Sequence, residues 1–524
     1  MPKFRASSTT IVAAMSAALL STTALASKGH LTPLPGQAKH SDAANVSQGK
    51  GLAPKIKSGV WSALKNMPAF SSFPDTALVL TDGTVVMHDG CTSDWFRLTP
   101  DSKGSYINGA WKKTASMSSD YKPLYFASQV LNDGRMIING GEYNSCSAVW
   151  TTKGALYDPA KDSWSSVSPP SGWSTIGDAT SIVFADGTYV LTNCCSSDYA
   201  LATIGGSVSW TVKTGAQTGK GDSNNEEGWT TLPNNTILTV DANRNLGAGK
   251  NNVEILNPST NKWSQAGTTC SAVVDAGSHE IGPAPLLPTG FVFQAGGTTN
   301  NNVYDPVADS WKCSVAFAGG LDSSDGPAVV LPNGHALFQV SPGVFQTPSH
   351  FVEVEVKSMS KVTAKQVAEP ASAANQSSYE GRLVLLPTGQ AFWTSDVGDI
   401  RIYTPKGHAK AAWKPTITNV PATVARGSSN NVVQGTTFNG LSEGGYYGDD
   451  GQMSTNFPLV RITNNGSGTV CYAKTHDFSS RGVSHIGDAG SAKFDVPNSC
   501  DKGASKLEVV VNGIASVPSS VTVN

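Results

Sequence analysis

Carboxylates recur at one position of a repeated pattern in this 524-residue chain. The pattern is punctuated by two-residue turn signals: Asp82-Gly83, Asp133-Gly134, Asp186-Gly187, Asn234-Asn235, Thr289-Gly290, Asn333-Gly334 and Thr388-Gly389. Eight positions ahead of these stand Pro74 (with Asp75 beside it), Tyr125, Asp178, Glu226, Ile281, Asp325 and Glu380. Glu227 follows Glu226, His279-Glu280 precedes Ile281, and Tyr379 precedes Glu380. Strand starts disfavour Asp and Glu, so an acid repeated at one register needs a reason. One reason is structural, with edge acids accepting hydrogen bonds from loop amides. The other is chemical. If the strand starts converge, Tyr125, Asp178, Glu226, Asp325 and Glu380 form a catalytic set. Asp75, Tyr143, Glu227 and Glu280 would then supply substrate contacts. Crowding pushes carboxyl pKa values apart, which general acid–base work requires.

Convergence demands a particular architecture. Pairs such as Asp-Gly and Asn-Gly supply the positive φ of tight hairpins. Each is followed by a second strand and, in the clearest copies, by Tyr157-Asp158-Pro159 with Trp164 and Tyr304-Asp305-Pro306 with Trp311. Asn257-Pro258 with Trp263 and Thr404-Pro405 with Trp413 are weaker copies. The unit recurs roughly every 50 residues, the kelch period. The expected fold is all-β: a seven-bladed kelch-type β-propeller over residues 59–413, whose first strands line the axis. Val- and Thr-rich strands over 414–524 predict an immunoglobulin-like β-sandwich.

Composition agrees and narrows the partners. Glycine numbers 53, proline 29 and charged residues only 15%, which suits short strands and tight turns and disfavours helical bundles and disorder. The net charge of -2, with no basic run, argues against nucleic acid. Lys3 and Arg5 ahead of an apolar stretch, with Ala24-Leu25-Ala26 as a cleavage site, predict a signal peptide over 1–26 and hence secretion. A polar linker is expected over 27–58. The apolar stretch is too short for a stable anchor, so no membrane partner is expected, and the chain is expected to be monomeric. Eight cysteines suit an oxidising compartment. Cys471 pairs with Cys500 in this reading, and Cys270 and Cys313 flank one repeat as a second candidate pair. Cys91, Cys146, Cys194 and Cys195 leave their pairing open, between a vicinal Cys194–Cys195 bridge and cross-links between blades.

Beyond the repeat, the chain resembles the galactose oxidase and glyoxal oxidase superfamily over the propeller and the final sandwich. Tyr125-Phe-Ala-Ser-Gln-Val-Leu-Asn-Asp-Gly-Arg is similar to the segment bearing that family's cross-linked tyrosine, and Tyr143 falls where an aromatic stacks over it. Ser378-Tyr379-Glu380-Gly381 before Leu385-Leu386-Pro387 resembles a family Tyr-His segment, with Glu380 in place of the histidine. Thr475-His476 resembles the sandwich loop that sends a last histidine into the channel. The resemblance implies a metal site of Tyr125, Tyr379, Glu380 and His476. The cross-linking cysteine is absent, its register holding Pro74 and Asp75, and carboxylate for imidazole suits copper poorly. The cofactor is thus left open between a divalent metal, with copper disfavoured, and a metal-free site.

These readings predict a secreted, carbohydrate-directed enzyme diverged from the copper-radical oxidases, with an acidic, Tyr- and His-containing axial pocket. Its substrate would be a carbohydrate or another small molecule. Two alternatives stand beside it: a non-catalytic glycan-binding or adhesion propeller, and an active oxidase with altered copper ligands.

Overall fold

The computed structural model describes residues 59–443 and 455–524, with the backbone of 445–447. The signal-peptide and linker expectations for 1–58 lie outside the described residues.

The described chain is almost wholly antiparallel β-structure, and the turn signals explain why. Gly83, Gly134, Gly187, Asn235, Gly290, Gly334 and Gly389 all have positive φ, between 62° and 88°. A residue there must tolerate the left-handed region, which Gly and Asn do at least cost. Each turn joins an inner strand to the second strand of its sheet. The inner strands are Pro74–Val79, Ala127–Val130, Ser181–Val183, Thr230–Thr231, Pro327–Val330 and Gly381–Leu385. The fifth repeat keeps only a Leu286–Val292 bridge there. Pro283, Pro285 and Pro288 explain the loss, because proline cannot donate to a ladder.

The aromatic punctuation stitches sheets together. Tyr157 lies directly across from Trp164 in the outer hairpin, with ring centroids 4.9 Å apart, and its hydroxyl donates to Asp162. Trp164 then stacks 5.4 Å from Trp95 of the preceding sheet and donates its indole N–H to the Ala115 carbonyl. Tyr304, Trp311 and Asp309 repeat the arrangement. The ring closes through the N-terminal strand Val60–Ala63, which pairs with Asp399–Thr404 on the outer edge of the last sheet.

Strands between Thr416 and Val523, apart from Gly445–Tyr447, build the sandwich. It is antiparallel except where Thr423–Val424 pairs in parallel with Thr522–Val523. One of its segments steps across four successive hairpin turns. Thr475 N–H donates to Thr81 O, Asp477 N–H to Asn132 O, Arg481 N–H to Ala185 O, and Val483 N–H to Asn235 Oδ1. A second segment reaches deeper, where Gly445–Tyr447 pairs with Pro327–Val329 on the axial edge of the sixth sheet.

All eight cysteines are oxidised, as expected of an oxidising compartment. Cys471–Cys500 lies within the sandwich, and Cys270–Cys313 joins the fourth sheet to the fifth. The open pairings resolve as one of each kind, with Cys91–Cys146 between blades and Cys194–Cys195 vicinal.

Candidate functional site

The strand starts converge on one end of the axis, and the backbone shows how. Tyr125, Glu226 and Asp325, three residues of the same register, have φ of 52°, 58° and 48°. Non-glycine residues in that region cost about 1–3 kcal/mol each and concentrate at functional sites. Backbone hydrogen bonds, two across neighbouring blades and two within one blade, surround these residues. Asp325 N–H donates to Ile281 O, Glu142 N–H to Tyr125 O, Gly141 N–H to Gly177 O, and Asp396 N–H to Glu380 O. Gly297 passes so close to the Glu280 carbonyl that a Cβ there would stand 2.2 Å from the oxygen.

At this end Glu226 and Glu280 form a hydrogen-bonded carboxyl pair drawn from consecutive blades. Burial first, then repulsion from Asp178, Asp325 and Glu142, pushes Glu226 well above the ordinary glutamate value. Burial and the same neighbours, with Glu226 foremost among them, do the same to Glu280. Two carboxyls so placed share a proton and titrate as a unit.

An aromatic wall adjoins the acids. Phe73, Cys91, Leu124, Tyr125, Tyr143 and Tyr379 form one buried cluster, with Phe345 packed on it. A small hairpin places Tyr143, because Leu124 pairs directly with Tyr143 and so sets it beside Tyr125, with centroids 5.9 Å apart. Tyr125 and Tyr379 stand 6.4 Å apart, centroid to centroid, and Phe345 lies 5.1 Å from Tyr379. Burial, then the negative charge of Asp396, pushes the Tyr125 hydroxyl well up; burial, then Glu380, does so for Tyr379. Both phenols are therefore held neutral.

Four residues singled out from sequence have other occupations. Asp75 is fully buried, its carboxylate bound to Arg382 Nη2 at 2.8 Å and His88 Nδ1 at 3.2 Å. Burial opposes its charge, yet Arg382 and His88 hold its pKa below the usual aspartate value. Asp75 is thus a positioning group rather than a substrate contact, and Arg382 in turn lies 5.3 Å over the Tyr125 ring. Glu227 follows the left-handed residue Glu226 and is fully buried. It binds the buried Lys220 ammonium at 2.9 Å. Glu380 accepts the Ser377 N–H at 2.7 Å and closes a capping box on Ser378–Glu380.

His476 departs furthest from its expectation. It ends the strand Val470–His476, with Nε2 3.2 Å from Asp495 and Nδ1 3.2 Å from Asp477. Its neighbours bind the hairpin turns, Asp477 at Asn132, which lies at the other end of the inner strand Ala127–Val130 from Tyr125. Tyr125, Tyr379, Glu380 and His476 are not gathered into one coordination shell, so they do not fit copper or another metal as a set. The sandwich segment that does enter the axis is Gly445–Tyr447.

The sequence reading missed Glu142, Asp396, Arg382, Phe345 and Lys220. Glu142 carried a signal, standing between Gly140-Gly141 and Tyr143. Lys220 did not, because its partners join its own loop to the strand Asn252–Asn257. Its ammonium lies 2.5 Å from Asp222, 2.9 Å from Glu227 and 3.0 Å from Glu254. Among the described residues one three-carboxylate group has oxygens within 4.8 Å of one another, Asp222, Glu227 and Asp241. Lys220 already sits in that group. The axial acids lie further apart, an arrangement suited to proton transfer more than to chelation.

The acids impose a pH dependence on stability. Glu226 and Glu280 are raised, Asp241 is pushed by burial and Asp222 to about 7, and Asp322 by burial to about 6. Each folded-state pKa lies above its unfolded value, so the native state binds more protons once the pH exceeds about 4. Their stabilising contribution is complete below that and is lost as pH rises through 6 and 7. His279, lowered by burial, opposes them with a single proton. The urea midpoint is expected to be higher at pH 5 than at pH 8; an equal or lower value at pH 5 would contradict this placement of the acids.

No protein-family model matches the chain, and no curated protein does. Among solved structures it is similar to a fungal alcohol oxidase of the AA5 family in complex with copper. The identity is 13%, coverage is 89% of this chain and 99% of that one, and the TM-score is 0.35. A streptogramin B lyase aligns at 10% identity over 67% of this chain and 98% of its own, with TM-score 0.43. The extracellular domain of a one-component system from B. thetaiotaomicron aligns at 11% identity over 79% and 51%, with TM-score 0.46. With likenesses this distant, the fold rests on the chain's own sheet topology.

Proposed function

We propose that this protein is a secreted, carbohydrate-directed enzyme that works by acid–base chemistry at the axial mouth. The observation that carries the reading is the Glu226–Glu280 pair, two carboxyls hydrogen-bonded across neighbouring blades amid Asp178, Asp325 and Glu142.

The chemistry follows from the shared proton. Burial and repulsion hold the pair's proton above the ordinary glutamate range, and the pair can deliver it to a glycosidic oxygen as the bond from that oxygen to the anomeric carbon breaks. A water molecule supplies the new C–O bond, and its proton passes to Asp178 or Asp325. The products are a hemiacetal and an alcohol, and the pair recovers its proton from solvent. The neutral phenols of Tyr125 and Tyr379 offer hydrogen bonds to substrate hydroxyls. Arg382, anchored by Asp75, fixes the Tyr125 ring.

The test is release of reducing ends from a glycan panel by the purified mature chain, with and without a chelator. Chelator-resistant release that is lost in Glu280→Gln is the expected result. Release that requires added metal, or that persists undiminished in Glu280→Gln, would refute the mechanism.

A further inference from the structure

We propose that Cys194–Cys195 is a reversible redox site, reduced by a dithiol ahead of the other three bridges, and that its reduction loosens the backbone carrying Asp178 and Glu226. The four disulfides differ in what they cross-link. Cys91–Cys146, Cys270–Cys313 and Cys471–Cys500 join residues 55, 43 and 29 positions apart, whereas Cys194 and Cys195 are adjacent. A cross-link stabilises chiefly by restricting the unfolded chain, and more so for longer loops. A bond between neighbours closes no such loop, so its opening leaves the fold nearly as stable. Cys195 is exposed and offers its sulfur to attack, as labile bridges do, while Cys194 is fully buried. Cys146 and Cys313 are exposed as well, so the order of reduction rests on loop length and not on access alone.

What the bridge braces gives its reduction a consequence. The pair lies in the turn between strands Tyr189–Thr192 and Tyr199–Ile204 of the third sheet. On one side Cys194 N–H donates to Ile176 O, and Asn193 Nδ2 donates to Thr175 O. A Cβ built on Gly177 would stand 2.6 Å from Cys194 Sγ and 3.3 Å from Trp150 Cδ1. The buried sulfur therefore packs on the residue before Asp178, with the Trp150 ring alongside. On the other side Asn224 Nδ2 donates to Ser196 O at 2.8 Å and to Asp198 O at 3.0 Å, and Glu227 N–H donates to Asn224 O. One short turn thus holds the segments that lead into two neighbouring blades. Opening the bond frees the Cys194–Cys195 peptide from a ring that fixes it, and that hold slackens.

The step balances as thiol–disulfide exchange. One thiolate of the dithiol attacks Cys195 Sγ, and Cys194 Sγ leaves with the bonding electrons. The second thiolate closes the dithiol's own disulfide and expels Cys195. Both cysteines take up protons, and two electrons have passed from the dithiol to the protein.

Graded dithiothreitol on the full chain, followed by iodoacetamide and peptide mapping, tests the order of reduction. Cys194 and Cys195 are expected to be alkylated together at a concentration that leaves the other bridges intact. At that concentration amide exchange over residues 176–178 and 224–227 should quicken about ten-fold, as in a locally opened turn, with the urea midpoint nearly unchanged. Trp150 emission, quenched by the adjacent bridge, should rise, and the rise should vanish in Trp150→Phe. A Cys194→Ser/Cys195→Ser variant should show the fast exchange without reductant. Oxidised dithiothreitol should restore slow exchange in the reduced parent protein. Earlier reduction of any other bridge, or unchanged exchange in both segments after reduction, overturns the proposal. So does exchange that quickens throughout the third sheet, which would assign the bridge to the fold. Labelling, emission and exchange are all read without substrate, so their outcome is separate from that of the proposed reaction.

Discussion

Glu226→Gln is expected to lower kcat by about 10²–10⁴-fold, the range ascribed to a positioned general acid or base, while KM changes little. The amide keeps the size and most hydrogen bonds of the acid but cannot hold the shared proton. Removing one carboxyl also removes a repulsion from its partner. Glu280 in the variant should therefore titrate closer to an ordinary glutamate, and the residual pH–rate profile should move to lower pH. A purely structural role predicts the opposite pattern, with unchanged kcat at matched folded fraction. Stability itself should rise slightly, because one of five mutually repelling acids is gone. Loss of rate together with gained stability is the signature expected of an acid retained for chemistry. A fall in both would assign Glu226 to the fold.

Lys220→Met should produce the largest loss of stability, about 3–5 kcal/mol, the usual result of removing one partner from a buried ion network. The Lys220 side chain is fully buried, as are those of Glu227 and Glu254, and its ammonium holds those two together with Asp222. Burial disfavours its charge, but Glu227, Asp222 and Glu254 more than restore it. Without the ammonium those acids face one another across a dry interior, with Arg244 reaching only Asp241 closely, at 2.7 Å. The penalty should deepen as pH rises, because each acid must then ionise unpaired. Urea unfolding of Lys220→Met, Glu227→Met and the double variant measures the coupling. The double variant should be more stable than the sum of the single effects predicts. Strict additivity would mean that the network holds nothing together. Because Glu227 anchors the backbone next to Glu226, Lys220→Met should also depress the rate beyond its effect on the folded fraction.

These two outcomes bear on how much could be read from the chain alone. Positive φ at the second turn position was legible because only Gly, Asn or Asp accept it cheaply, and the turns carry five Asp or Asn residues ahead of Gly or Asn. The acid register was legible for the same reason, since counting from a fixed turn locates strand starts. Asp178, Glu226 and Asp325 were found that way and Glu280 one residue beside the count, and the four interact. Where the count was read one residue off the register, burial decided the outcome. Asp75 sits next to a channel position within its inner strand, and Glu227 directly after the left-handed residue Glu226. Both acids are buried against cations, Arg382 and Lys220.

Local periodicity by itself determined the turns, the strand alternation, the succession of sheets and the channel register, because each depends on residues within one hairpin of each other. Tertiary structure alone decided which acids share a proton, which are neutralised by Arg382 and Lys220, and which sandwich segment enters the axis. Those outcomes depend on side chains tens to hundreds of residues apart, whose desolvation and Coulomb energies exist only once the sheets have closed into a ring. The motif Thr475-His476 was legible as a motif, but its strand registers against Lys493 and its ring nitrogens face Asp477 and Asp495. Sheet pairing, a long-range interaction that no local motif encodes, holds that histidine between these two aspartates.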